Sequence, residues 1–224
     1  MINIISKYTN SVKNGIFQCN LDMCPFCKRT PDAFKRHDCR NRSFLLIIDG
    51  LVHKVKSYIT RWRCPFCGHS FTVYPEFALP YKRYVRYVIL EKSTQYIEAG
   101  LSVKEKKVTY RSLAKENKMA IGYACTESGH IDERQFAHST IHRWLSTLSC
   151  FTNTLNRARQ LIKQKSPSST IFRNIIPISP KKYRSNKRKE ELQICRQLLL
   201  VDREYRKLFG PSVFPHLATV CQWK

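Results

Sequence analysis

The chain has 224 residues, 42% of them hydrophobic and 12% aromatic, and its formal net charge is +24. This composition is globular rather than disordered, and the length suits one large domain or two small ones. A positive surplus of this size predicts a polyanionic partner, with nucleic acid first and an anionic membrane surface second. No apolar run approaches the roughly 20 residues that span a bilayer, which argues against a transmembrane protein.

Ten cysteines occur in a chain whose first residues lack the apolar core and cleavage site of a signal peptide. A disulfide framework is therefore not expected, and we predict a cytoplasmic, nucleoid-associated protein. Four cysteines form two Cys-x-x-Cys pairs. The other six stand singly, and most of them are interpreted as small buried hydrophobic residues; they are Cys19, Cys39, Cys125, Cys150, Cys195 and Cys221.

The same tetrapeptide, Cys-Pro-Phe-Cys, occurs at residues 24–27 and 64–67. Two residues between cysteines let both thiolates reach one metal ion from a tight turn, and Gly68 supplies the permissive backbone that such a turn needs. Two such knuckles make a closed site of four sulfurs, the structural form of zinc binding. The sequence therefore predicts one structural zinc ion, held by the following ligands: Cys24, Cys27, Cys64 and Cys67.

Two alternatives apply to this motif. A thioredoxin-like redox pair needs a single Cys-x-x-Cys opening a helix after a strand, and that context is missing here. A neighbouring side chain could also replace one of the four ligands, the candidates being His37, Cys39, His53 and His69.

Between the knuckles the pattern is typical of β structure. The apolar run Ser43–Ile48 is followed by Asp49-Gly50, a strong hairpin signal, and residues 51–63 return as a second strand. Two knuckles joined by a hairpin make a zinc ribbon, which we place in a first domain of residues 1–80. Such a small core depends on its metal for much of its folding free energy.

From Tyr81 the apolar spacing becomes helical, with Lys82, Arg83 and Arg86 forming a basic side and Gly100 ending the helix. A second helix is predicted from Thr109 to about Asn117, and a polar insert covers residues 121–135. These elements belong to a second, mostly helical domain of residues 81–152.

A third helix is predicted from Ser139, with Ile141, Trp144, Leu145 and Leu148 in one apolar stripe. The side chains off that stripe are those that a DNA-recognition helix could present to the major groove. They are Thr140, His142, Arg143 and Thr147. Periodicity alone fits an ordinary amphipathic helix equally well, and the long insert departs from a compact helix-turn-helix.

Across about residues 20–150 the chain resembles zinc-ribbon proteins of bacterial transposons and insertion sequences, whose function is poorly assigned and whose ribbon precedes a helix-turn-helix. The residues that carry the resemblance are both Cys-Pro-Phe-Cys knuckles, Arg36-His37, Ser70-Phe71-Thr72, Pro75, the run Leu-Pro-Tyr-Lys-Arg-Tyr at 79–84, and the run Ser-Thr-Ile-His-Arg-Trp-Leu at 139–145. The resemblance implies double-stranded DNA binding linked to mobile elements, with a transposase or recombinase subunit as a possible partner.

Residues 153–224 are predicted to form a basic helical extension. It contains a helix over residues 154–165, a linker at residues 166–169, and a helix from Glu190 to Phe209 that Gly210 ends. Between them lies a basic run, made of Lys181, Lys182, Arg184, Lys187, Arg188 and Lys189. This run suits phosphate contacts, and a solvated charged linker explains it equally well.

The fold class predicted from these elements is α+β, with a small β ribbon followed by helices. A transposase catalytic subunit is disfavoured, because it needs carboxylates gathered around metal ions and the 16 acidic residues are sparse. The prediction is a non-enzymatic double-stranded DNA-binding protein, an accessory or targeting factor of a mobile element. Alternatives are an RNA-associated zinc-ribbon protein, the DNA-binding part of a transposase, and a transcription regulator.

Overall fold

The computed structural model describes residues 1–48, 51–99, 123–125, 138–172 and 185–214. The described part is α+β, as predicted, with five α-helices and a small sheet. The helices are α1 (Ile2–Lys13), α2 (Arg86–Ala99), α3 (His138–Leu148), α4 (Thr152–Lys165) and α5 (Asn186–Phe209), and a 3₁₀ turn covers Thr170–Phe172. The strands are β1 (Lys35–Ile48), β2 (Leu51–Arg63), β3 (Ser70–Val73) and β4 (Tyr123–Cys125).

The strands β1 and β2 form a long antiparallel hairpin, in register from Ile48 opposite Leu51 to Lys35 opposite Arg63. The predicted return strand has the observed bounds, whereas the outgoing strand begins eight residues earlier than Ser43. A bulge interrupts the pairing between Arg36 and Asp38. The Asp49-Gly50 turn itself lies outside the described residues.

Both other strands pair with β2. Strand β3 pairs antiparallel with its end, from Thr60 opposite Val73 to Arg63 opposite Ser70, and β4 runs parallel to its beginning. The hairpin and β3 together hold the two knuckles at one end of the sheet, because the knuckle at residues 64–67 connects β2 directly to β3.

The helix α1 was not predicted from the sequence, although its buried residues Ile5 and Val12 lie seven positions apart on one side. It packs against β2, where the hydroxyls of Thr9 and Ser57 lie 2.8 Å apart. The Tyr8 ring meets Phe77 edge-on at 5.5 Å. The signal was therefore present in the helical spacing of apolar residues.

The helix α2 begins at Arg86, later than the predicted start at Tyr81. The preceding segment is held against β1, because Leu45 N–H donates to the Arg83 carbonyl at 2.8 Å and Val85 N–H donates to the Leu45 carbonyl at 2.9 Å. Tyr81 also has a left-handed φ of 60°, which a helix does not allow. Lys82 and Arg83 therefore precede the helix and do not lie in its first turn.

The helix α5 begins at Asn186, four residues before the predicted start, and the Ser185 hydroxyl caps it by accepting from Arg188 N–H at 3.2 Å. Residues 187–189 are consequently the first helical turn rather than a linker. Gly210 ends the helix as predicted, with a φ of 88°. Beyond it, the buried Asp202 carboxylate accepts from the Ser212 hydroxyl at 2.6 Å and from Val213 N–H at 3.0 Å.

One large core contains buried residues from all three predicted domains, among them Phe44 of β1, Trp144 of α3 and Leu198 of α5. A second, smaller core surrounds the knuckles. The domain boundaries at 80 and 152 remain predictions. In the described residues, no helix is long and apolar enough to cross a membrane.

Several predicted features lie outside the described residues. They are the helix at residues 109–117, the polar insert at residues 121–135 apart from β4, Gly100, and the basic residues Lys181, Lys182 and Arg184.

Candidate metal centre and basic surface

The four predicted ligands converge at the end of the hairpin. Their sulfur atoms all lie within 4.8 Å of one another, with Cys24 Sγ 3.7 Å from Cys67 Sγ and Cys27 Sγ 3.8 Å from Cys64 Sγ. In a regular tetrahedron with metal–sulfur bonds of about 2.3 Å, the sulfurs stand about 3.8 Å apart. A disulfide would need about 2.0 Å, and all four cysteines are free. The arrangement can hold a metal ion.

The two knuckles have the same backbone geometry. In the first, Lys28 N–H donates to the Cys24 carbonyl at 3.0 Å, and Cys24 N–H donates to the Arg29 carbonyl at 2.9 Å. In the second, Gly68 N–H donates to the Cys64 carbonyl and Cys64 N–H donates to the His69 carbonyl, both at 3.0 Å. Each knuckle also requires a left-handed residue, Lys28 with φ 61° and Gly68 with φ 71°.

The smaller core holds the knuckles in place. Phe34, which follows the first knuckle, and Phe71, which follows the second, meet edge-on at 5.0 Å. Trp62, at the end of β2, is buried in the same cluster, and its indole N–H donates to the Thr60 hydroxyl at 2.9 Å. Cys24 and Cys64 are almost fully buried within this cluster, so the metal site and the core form one unit.

The thiols influence each other's ionisation. Burial raises the pKa of the Cys64 thiol. The N–H groups of Cys67 and Phe66 and the neighbouring thiols together lower this pKa by more, so that it falls to about 7. The N–H of His69 lowers the pKa of Cys67, but burial and the three other thiols raise it to about 11. Four thiolates this close together need a cation to compensate their charge.

None of the alternative ligands joins this cluster in the described residues, where the group of potential metal ligands consists of the four cysteines. His69 instead stacks on the Phe26 ring at 4.9 Å. His37 lies at the bulge of β1, and His53 lies near the opposite end of the hairpin.

Of the basic residues predicted in the first turn of α2, Arg83 is exposed, and Lys82 and Arg86 are half-buried. The side chain of Arg86 is 13% exposed and lies 3.6 Å from the Glu76 carboxylate. Burial lowers the pKa of Arg86, and Glu76 partly compensates. Arg86 therefore has a structural role and does not belong to an exposed basic surface.

Lys82 lies beside α3. Burial and then the nearby Arg143 guanidinium lower the pKa of Lys82, while the Cys150 thiol acts in the opposite direction. Arg42 of β1 donates to the Lys82 carbonyl at 3.3 Å. Lys82 thus lies next to Arg42 of the hairpin and near Arg143 of α3. These three residues are called the basic patch.

The helix α3 buries its predicted apolar stripe and exposes His142 and Arg143. Thr140 is partly exposed, whereas the Thr147 hydroxyl donates to the Arg143 carbonyl at 2.9 Å and is thus already satisfied within the helix. Burial, followed by the Arg188 charge, lowers the pKa of His142. Of the predicted reading residues, Arg143 is the one that is exposed and charged at neutral pH.

The basic run at the start of α5 divides in two. Lys187 is exposed and Lys189 partly exposed, whereas Arg188 is 9% exposed and donates to the Glu191 carboxylate at 2.5 Å and to the Ser146 hydroxyl at 2.9 Å. Arg188 Nη2 also donates to the His142 carbonyl at 3.4 Å. Arg188 therefore joins α5 to α3, and within residues 187–189 the two lysines are the ones that remain available to phosphates.

The sequence predicted the helix α4 but assigned no role to its surface. Only Ser149, Cys150 and Phe151 separate it from α3, so the two helices form a pair joined by a three-residue turn. Its apolar side is buried through Leu155, Ala158 and Ile162. Its other side carries only polar and basic residues, and α4 contains no acidic residue. The exposed members include Asn153, Asn156, Arg157, Gln160 and Lys163.

A family model described as Domain of unknown function (DUF6431) matches residues 24–113. The match begins at the first cysteine of the metal site and includes both knuckles, the hairpin, β3 and α2. No curated protein and no solved structure has significant similarity to this chain.

Proposed function

We propose that this chain is a double-stranded DNA-binding protein whose four cysteines hold one structural zinc ion, and that it acts by binding rather than by catalysis. Zinc suits the site because a closed set of four thiolates is its structural coordination. The ion stabilises the small knuckle core, and through the hairpin it supports the segment that carries Lys82.

The observation that carries the DNA proposal is the position of the basic patch relative to α4. Lys82 lies near Arg143 and near Cys150, and Cys150 belongs to the turn that leads into α4. Lys82 therefore lies near the turn before a helix N-terminus, where backbone N–H groups and the helix dipole also favour a phosphate.

The exposed side of α4 is suited to reading bases. Asn and Gln side chains pair with adenine and Arg with guanine in the major groove, which admits an α-helix. In helix-turn-helix proteins the N-terminal residues of the second helix contact base edges. Here those positions are occupied by Asn153, Asn156 and Arg157. Arg143 of α3, predicted as a reading residue, would lie beside them at the groove edge.

We further propose that the protein is an accessory or targeting factor of a mobile genetic element and acts in the cytoplasm with a transposase or recombinase. The support for this role is the resemblance of the knuckles and of residues 79–84 and 139–145 to transposon-associated zinc-ribbon proteins.

A competition experiment tests the proposed partner. The full zinc-loaded chain is bound to a labelled mixed-sequence duplex, and unlabelled duplex DNA or structured RNA is added. Duplex DNA should compete more strongly, because the deep, narrow major groove of A-form RNA does not admit a helix. Equal or stronger competition by RNA would contradict the proposal.

A further inference from the structure

The phenylalanine in each Cys-Pro-Phe-Cys knuckle points to solvent. Phe26 is 46% exposed and Phe66 is 53% exposed, whereas the cysteines beside them are buried or half-buried. Neither ring is needed to fill the smaller core, which contains Phe34, Phe71 and Trp62. The tips of the metal site therefore present two large aromatic side chains that packing does not explain.

Each ring is paired with a basic residue of the opposite knuckle. His69 stacks on Phe26 with ring centroids 4.9 Å apart and an angle of 25°, and the Arg29 guanidinium lies 5.6 Å from the centroid of Phe66. The two pairs are equivalent by position. In each, the phenylalanine of one knuckle contacts the residue that lies two positions after the last cysteine of the other knuckle. The result is one stacked ring pair and one cation–π pair at matched positions, and Phe26 and Phe66 each remain about half exposed.

A second positively charged residue, Lys28, lies at this tip in a backbone conformation that its side chain disfavours. Lys28 has the left-handed φ that its counterpart Gly68 adopts freely, and a non-glycine residue is disfavoured there. Its ammonium donates to the Pro25 carbonyl at 2.8 Å. Residues 24–29 and 64–69 contain no acidic residue, and the nearest acids along the chain, Asp22 and Asp32, lie outside both loops.

We propose that the knuckle tips form a second nucleic-acid site, which binds unpaired bases of single-stranded DNA. Exposed aromatic rings stack on bases of any sequence, and neighbouring cations contact the backbone phosphates. Phe26 and Phe66 would stack on two bases, and Lys28, Arg29 and His69 would surround them with donors. A paired duplex does not offer free base faces, so this site is distinct from the duplex surface at α4.

The choice of DNA over RNA rests on the proposed function, since the same chain is proposed to bind a DNA duplex. The stacking site itself rests only on the geometry of the tips. Its test therefore uses single strands, and the duplex site is tested by other variants.

The test measures the affinity of the zinc-loaded full chain for a labelled oligo(dT) of about 20 nucleotides by fluorescence anisotropy, beside oligo(U) and a blunt duplex. Phe26→Leu/Phe66→Leu should weaken oligo(dT) binding by about tenfold or more, because each stacked base contributes substantially. Duplex affinity should change less than twofold. The control is Tyr87→Leu, which removes an equally exposed aromatic ring from α2 and should leave oligo(dT) binding unchanged.

Metal content is measured on every variant. Should the double leucine variant lose its metal, Phe26→Trp/Phe66→Trp replaces it, and its added indole fluorescence should be quenched by oligo(dT) and not by the duplex. Unchanged oligo(dT) affinity in a metal-loaded leucine variant, or no quenching in the tryptophan variant, would overturn the proposal. Preference for oligo(U) over oligo(dT) would overturn the assignment to DNA.

Discussion

Arg188 on α5 and Glu191 one turn later form an ion pair at 2.5 Å that also binds the Ser146 hydroxyl of α3. The side chains are 10% and 20% exposed, so solvent screens the pair only in part. Within a run of positive charges this arginine thus stabilises the contact between two helices.

We therefore expect Arg188→Ala to destabilise the fold by about 2–3 kcal/mol, because Glu191 loses its charged hydrogen-bond partner. Urea unfolding followed by circular dichroism measures the change. The matched control is Lys187→Ala, an exposed neighbour that should change stability by less than about 0.5 kcal/mol. Equal effects of the two substitutions would show that the ion pair contributes nothing.

The two lysines of the run provide a test of phosphate contacts. Each neutralised phosphate contributes about −0.9 to the slope of log affinity against log salt concentration, so Lys187→Ala/Lys189→Ala should flatten the slope by about 1–2. Binding should weaken equally on all sequences. Lys7→Ala/Lys13→Ala removes the same charge from α1 and should leave the slope nearly unchanged. An unaltered slope in the first variant would place the contacts elsewhere.

The metal site predicts one zinc ion per chain, found by elemental analysis of protein purified without added metal. Cys64→Ser should lose the ion and the order of the hairpin, since the small core depends on the metal. Cys150→Ser removes an exposed thiol and should keep the ion. Iron in place of zinc, or an intact hairpin without metal, would contradict this account.

Trp144 is nearly buried in the large core and meets the Tyr84 ring edge-on at 5.1 Å. Its replacement by alanine should cost about 3–5 kcal/mol of unfolding free energy. Arg143→Ala, which removes the exposed neighbouring side chain, should cost less than about 0.5 kcal/mol. Chemical denaturation of both variants checks this, and a mild effect of Trp144→Ala would place α3 outside the folded core.

The sequence predicted the elements that local chemistry determines. The Asp-Gly dipeptide between apolar runs located the hairpin, and the repeated Cys-Pro-Phe-Cys identified four residues that the fold brings within metal-binding distance. The late start of α2 could not be predicted, because the contact of residues 83–85 with Leu45 holds that segment extended.

The burial of Arg188 could not be predicted either, because it depends on contacts with Ser146 and the His142 carbonyl of α3, more than 40 residues away along the chain. The polar side of α4 was visible as a helix with basic residues. Its importance depends on the three-residue turn after α3, which appears only once the bounds of both helices are known.

Sequence preference among DNA duplexes tests the central claim most directly. A random duplex pool is bound to the zinc-loaded chain through several rounds, and the affinity for the enriched site is compared with that for a scrambled site. We expect a ratio of at least about 10³ for the parent chain. Arg157→Ala or Arg143→Ala should reduce discrimination at a base that the residue contacts by about 1–3 kcal/mol, and Arg40→Ala should not. Enrichment of no sequence, or a preference that survives both substitutions, would contradict base reading by the α3–α4 pair.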